Sequence, residues 1–217
     1  MPHLYAAFFV CTFVHLASIA VSARLAGVSI RTFSLGFGPR LLELGRFRLG
    51  AILTGGYVRF LDSREEEASP RQIHAAFDSK STPVQLFVML SGCMVLAGAS
   101  IGIEGRPALQ ALADAPLQLL AGAISPLDAA QDLLHRISAY SQSTSFTSLL
   151  AMVAAKMAAI NLLPFPACNG GAAVGAIARA LGVHKFWPST ATRALLLSLA
   201  GLLGSWLVAV LAYPTKA

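Results

Sequence analysis

Charge is scarce in this 217-residue chain: Asp, Glu, Lys and Arg together make up 12% of it, and only 10 residues are acidic. With 56% apolar residues and a mean hydropathy of +0.67, it is too apolar for a water-soluble domain of this length and reads as an integral membrane protein. Cysteine is scarce too. Cys11, Cys93 and Cys168 make no even set and no CxxC pair, which argues against a disulfide framework and leaves burial as small apolar side chains. No Lys or Arg precedes the first apolar run, whereas a cleaved signal peptide carries a positive amino end. That run is therefore expected to stay in the chain as a spanning helix.

Four apolar runs are long enough to be read as membrane spans, at about 4–23, 84–103, 146–163 and 194–213. The excess of 16 Lys and Arg over 10 acidic residues could suggest a nucleic-acid partner, but its distribution does not. Most of the cations cluster between Arg24 and Lys80, with Arg71 among them, and Arg179, Lys185 and Arg193 follow the third run. The loop between the second and third runs has only Arg106 and Arg136. By the positive-inside rule this places both termini outside and the 24–80 segment in the cytoplasm. The partner is the lipid bilayer rather than nucleic acid. The whole chain, 1–217, reads as one membrane-embedded domain.

From Phe33 the pattern changes from helical to alternating, and the region 31–60 is expected to form a small antiparallel sheet or hairpin that dips towards the membrane. The run Glu65-Glu66-Glu67 would by itself be a solvated face. Two weakly amphipathic stretches between 107 and 140 suit helices at the outer interface. Gly92 and Gly98, in the second span, would allow helices to approach closely.

The first run holds His15-Leu16-Ala17-Ser18-Ile19, followed by ARLAGVSIRTFSLGFGP at 23–39. That string resembles the segment after the HExxH helix of site-2-type intramembrane metalloproteases. Gly55-Gly56-Tyr57-Val58 matches the family's GGYV, and 61–67 with 76–81 is similar to its connector into the second span. Asn161-Leu162-Leu163-Pro164-Phe165-Pro166-Ala167-Cys168-Asn169-Gly170-Gly171 closely resembles its NLLPxPxxDGG signature. The resemblance covers about 8–182. It implies the site-2 protease core fold in the bacterial inner membrane, as a short member with no room for a PDZ module. It also implies a re-entrant β-hairpin whose edge accepts an extended substrate strand, so Phe47, Leu49, Ile52, Gly55, Gly56, Tyr57 and Val58 become substrate-binding candidates together with Asn161, Pro164 and Pro166.

The resemblance also shows departures. His15 falls on the first zinc histidine, but Leu16 stands at the catalytic glutamate, Ile19 at the second histidine and Asn169 at the zinc-binding aspartate. Residues 91–96 lack the Pro and Asn of the family's AGPxxN. A catalytic zinc needs three ligands, an open position and a base, so no catalytic residue and no cofactor are expected. A displaced site would draw on Cys11, one turn before His15, and on Cys168. His3, His74, His135 and His184 have no ligand spacing. Lys156 is an ionisable group inside the third span; it either snorkels to the interface or occupies the vacated site near His15 and Asn169. The expected function is that of a pseudoprotease that binds or regulates a transmembrane client without cleaving it. The alternatives are an active zinc protease with unusual ligands and a structural subunit of a membrane complex.

Overall fold

The computed structural model describes residues 2–66, 69, 72–183 and 189–213. Glu67, Arg71, His184 and Lys185, which enter the charge and histidine arguments above, lie outside the described residues. Helix α1 spans Pro2–Leu25 and is free of charge until Arg24 in its last turn, where a cation suits the negative end of the helix dipole. Gly27, at φ 66°, turns the chain out of the helix, with the Val28 N–H donating to Ala23 O at 2.8 Å. Two strands follow, β1 (Ile30–Leu44) and β2 (Phe47–Phe60), reversing at Gly45 with φ 59°.

The remaining elements are helical: α2 (Thr82–Glu104), α3 (Arg106–Ile124), α4 (Ala129–Ser143), α5 (Phe146–Asn161), α6 (Asn169–Ala180) and α7 (Ser189–Ala212). Proline in the first turn of α2 and of α3 sits where a missing N–H costs nothing. Ser145 caps α5 by accepting from the Ser148 N–H at 3.1 Å. Among the described residues, three helices, α1, α2 and the Thr190–Ala212 part of α7, are long and apolar enough to cross a membrane. The expected third span is shorter than the sequence suggests. Helix α5 has 16 residues, about 24 Å of helix against a hydrocarbon core of roughly 30 Å. It ends because Pro164 and Pro166 cannot continue it, and 162–168 form an unwound link to α6.

The sheet departs from a simple hairpin. Phe33 pairs with both Val58 and Phe47, Ser34 with both Tyr57 and Arg48, and Leu35 with both Gly56 and Leu49, while 47–49 also pair with 42–44. Residues 33–35 therefore run between the two ends of β2. The strands cross at Gly36 and Gly50, where a Cβ on Gly36 would stand 2.8 Å from Gly50 O. Only glycine permits that approach. The connector to α2 is then fastened: Leu61 is buried between Ser29 and Phe77 through backbone hydrogen bonds of 2.8 and 2.7 Å. Burial works to raise the Asp62 carboxyl, but hydrogen bonds from the Arg64 side chain and backbone outweigh it and hold the group below its ordinary value.

Two clusters make the interior. Ala7, Cys11, Leu96, Leu149, Val153, Ala154 and Ala158 join α1, α2 and α5; Ile19, Ala23, Val28, Phe77, Val88, Met89 and Ala176 join α1, α2 and α6. Alanine dominates because close backbone approach and dispersion, rather than water exclusion, hold helices together in lipid. Helices α1 and α2 come close at Gly92, where a Cβ would lie 2.6 Å from His15 O and 2.5 Å from His15 Nδ1. Gly98 is different: it is exposed with nothing within 4 Å, so the expected close contact there is absent.

Gly92→Ala should therefore destabilise the detergent-purified protein by about 1–3 kcal/mol through overpacking, while Gly98→Ala should change stability by less than about 0.5 kcal/mol. Thermal unfolding followed by far-ultraviolet circular dichroism reads both. Equal effects would contradict the α1–α2 packing described.

Candidate functional site

One face of α1, the β2 edge, α5 and the start of α6 enclose a cavity of about 650 Å³. From α1 come Leu4, Phe8, Thr12, His15, Leu16 and Ile19, and from the sheet Phe37, Gly55, Gly56, Tyr57, Val58 and Phe60. Lys156 and Asn161 of α5 and Asn169 of α6 bring the polar groups, and Leu119, Ile137 and Leu203 close the wall from α3, α4 and α7. The sequence-derived candidates His15, Leu16, Ile19, Gly55, Gly56, Tyr57, Val58, Lys156, Asn161 and Asn169 thus meet in one place.

Other candidates do not reach it. Phe47 and Leu49 are paired on both sides, to 33–35 and to 42–44, so they offer no free edge. Ile52 is exposed and does not itself line the cavity, although its ladder partner Phe37 does. Pro164 is exposed and Pro166 half-buried, and neither lines the cavity; their part is to end α5. Cys11 turns its thiol into α5, donating to Leu150 O at 3.7 Å, and packs within the first cluster. Cys168 caps α6 and is half-buried.

His15 is 4% exposed, and its Nδ1 is buried without a hydrogen bond. The Gly92 backbone and the Asn169 side chain are the polar groups that bear on its ring. Leu16 and Ile19 are 4% and 6% exposed, the former against Gly56, where a Cβ would stand 2.6 Å from Leu16 Cδ1, the latter in the second cluster. Asn169 donates through Nδ2 to the Met89 carbonyl of α2, which fixes the start of α6. Asn161 folds back onto Met157 O at 2.9 Å. The Lys156 ammonium hydrogen-bonds the Gln118 side chain of α3 rather than His15 or Asn169, although it lines the same cavity as both. Sequence reasoning missed Gln118. A glutamine amid apolar residues in a membrane protein was the signal that could have found it.

The donors present do not fit a catalytic zinc. Only His15 of the four family positions carries a good ligand, Asn169 offers an amide, and no group of three or more His, Cys, Asp or Glu that could hold a metal occurs among the described residues. The displaced set fails as well, because Cys11 points into α5.

What these elements define is a helical membrane protein on the site-2 protease core: an apolar helix facing an unwound Asn-Pro-Gly segment, with a β-edge beside both. Comparison agrees. Peptidase family M50 matches residues 3–205, and the chain belongs to that family. The regulator of sigma E protease of Haemophilus influenzae is similar, 40% identical over 76 residues that make up 33% of this chain and 17% of that protein. So is the regulator of sigma-E protease of Escherichia coli, 37% identical over 75 residues, 32% of this chain and 17% of that protein. The chain thus spans well under two thirds of the length of the curated relatives it matches.

The placement of the thiols is directly testable. N-ethylmaleimide should modify Cys168 in the detergent-purified protein before Cys11 and Cys93, which are both buried to 1% exposure. Peptide mass spectrometry against time checks the order. Modification of Cys11 as fast as Cys168 would mean that α1 is turned differently.

Proposed function

We propose that this protein is a pseudoprotease of the bacterial inner membrane, with both termini outside, that binds or regulates a transmembrane client without cleaving it. The observation that carries this reading is the packing of Leu16 and Ile19. These side chains stand where the family places its base and second ligand, and both are built into the protein's interior. Water activation needs a base and an open metal position, and an aliphatic side chain supplies neither. The client-binding parts remain: an apolar cavity, and the strand segment 55–58 along its wall, whose recorded ladder runs to 33–35. Backbone groups on a strand edge can take up an unwound peptide.

The purified protein should hold no stoichiometric zinc by elemental analysis. About one zinc per chain, lost on His15→Ala, would overturn the reading in favour of an active protease with unusual ligands. Installing Leu16→Glu, Ile19→His and Asn169→Asp together should restore zinc binding more readily than proteolysis, because second-shell losses alone cost about 10–100-fold.

Orientation is tested separately. In a cysteine-free background, Ser63→Cys should react with impermeant maleimide only from the cytoplasmic side and Ala111→Cys only from the outer side. The reverse pattern would undo the orientation.

A further inference from the structure

Among the described residues, Lys156 is the single Lys or Arg lining the cavity, and no Asp or Glu lines it. Its ammonium is held by a neutral amide, Gln118, and it makes no salt bridge among the described residues. Asp114 on α3 and Arg136 on α4 act on it with opposite sign, but both are exposed and neither lines the cavity. Facing a largely apolar cavity, the ammonium has an amide as its hydrogen-bond partner and no carboxylate within ion-pair distance among the described residues; Asp114 acts on it only from further off. The rest of the wall is largely apolar, as a membrane segment requires. A glutamine oxygen is a partner that a carboxylate outcompetes, since a carboxylate adds the Coulomb attraction of a full opposite charge, at low dielectric, to the same hydrogen bond.

We infer that the cavity selects a transmembrane segment bearing a carboxylate at membrane depth, an Asp or Glu side chain that displaces Gln118 from Lys156. This rests on the client-binding reading above and adds the chemistry of the client. An intramembrane carboxylate is costly in lipid and seeks a cation, so charge complementarity supplies selectivity that apolar contact lacks.

The test uses the full chain in lipid nanodiscs and synthetic Leu/Ala single-span peptides carrying a photo-crosslinker. One Asp is scanned across a helical turn near the peptide centre, with Asn peptides as the matched set. At the best position the wild type should capture the Asp peptide about tenfold better than the Asn peptide, the size of one charge-assisted hydrogen bond. Lys156→Gln should abolish that preference, and Gln118→Ala, which removes the competitor but keeps the cation, should raise it. Lys156→Glu should instead prefer a peptide with Lys in place of Asp, so loss in the neutral variant is separable from misfolding. Equal capture of Asp and Asn peptides by the wild type overturns the inference and leaves client binding standing. Capture of neither overturns the client-binding reading itself. Lys156-dependent binding of palmitate without peptide capture overturns both in favour of a lipid acid.

Discussion

The contact between Gly92 and His15 sets the geometry on which the other elements depend. Because α2 presents no side chain there, α1 approaches until the histidine ring lies against the α2 backbone. One turn earlier on α2, the Met89 carbonyl receives the Asn169 amide. A single helix thus places both His15 and Asn169, one through a missing Cβ and the other through a hydrogen bond. The unwound link before Asn169 is kept close by the same economy of side chains: a Cβ on Gly170 or Gly171 would collide with the carbonyls of Leu162 and Phe165. Buried backbone without helical pairing is acceptable in a membrane protein where protein, not lipid, surrounds it.

Within this frame the side chains at positions 16, 19 and 169 each fit the packing around them. Leu16 and Ile19 are side chains that α1 can bury against the β-edge and against α2 and α6 without any compensating polar partner. Glu and His at those points would need a metal or hydrogen bonds to be tolerated at such depth. Asn169 retains the size of the aspartate while losing its charge, and its amide gains a donor that aspartate lacks. Leu16, Ile19 and Asn169 are thus satisfied by their neighbours, whereas His15 Nδ1 is buried without a hydrogen bond.

The sequence made the spans of α1, α2 and α7, the β-region and the unwound segment legible, because each rests on local signals: apolar length, alternation, and Pro or Gly at fixed offsets. The meeting of His15 with 55–58 and Asn169 was legible only through family resemblance, since it joins residues 40 positions apart and 154 positions apart. Other features were hidden. The crossing at Gly36 and Gly50 depends on two backbones touching, so Phe47 and Leu49 looked like edge residues when they are inner ones. The partner of Lys156 was hidden because Gln118 is 38 positions away on a stretch whose weak amphipathicity suggested only an interfacial helix. Cys11 shares a helix face with His15, yet a few tens of degrees of rotation send its thiol into α5.

Helix α7 packs on α3 through Gly122, which lies under the Trp206 ring, and through hydrogen bonds from Trp206 Nε1 to Leu119 O at 2.9 Å and from Ser205 to Ala123 O. Leu119 and Leu203, beside these contacts, line the cavity. A ribosome delivers α1, the sheet, α2, α3 and α5 long before it reaches residue 206. Helix α7 therefore adds its part of the cavity wall last in chain order, after the elements that carry His15, 55–58 and Asn169.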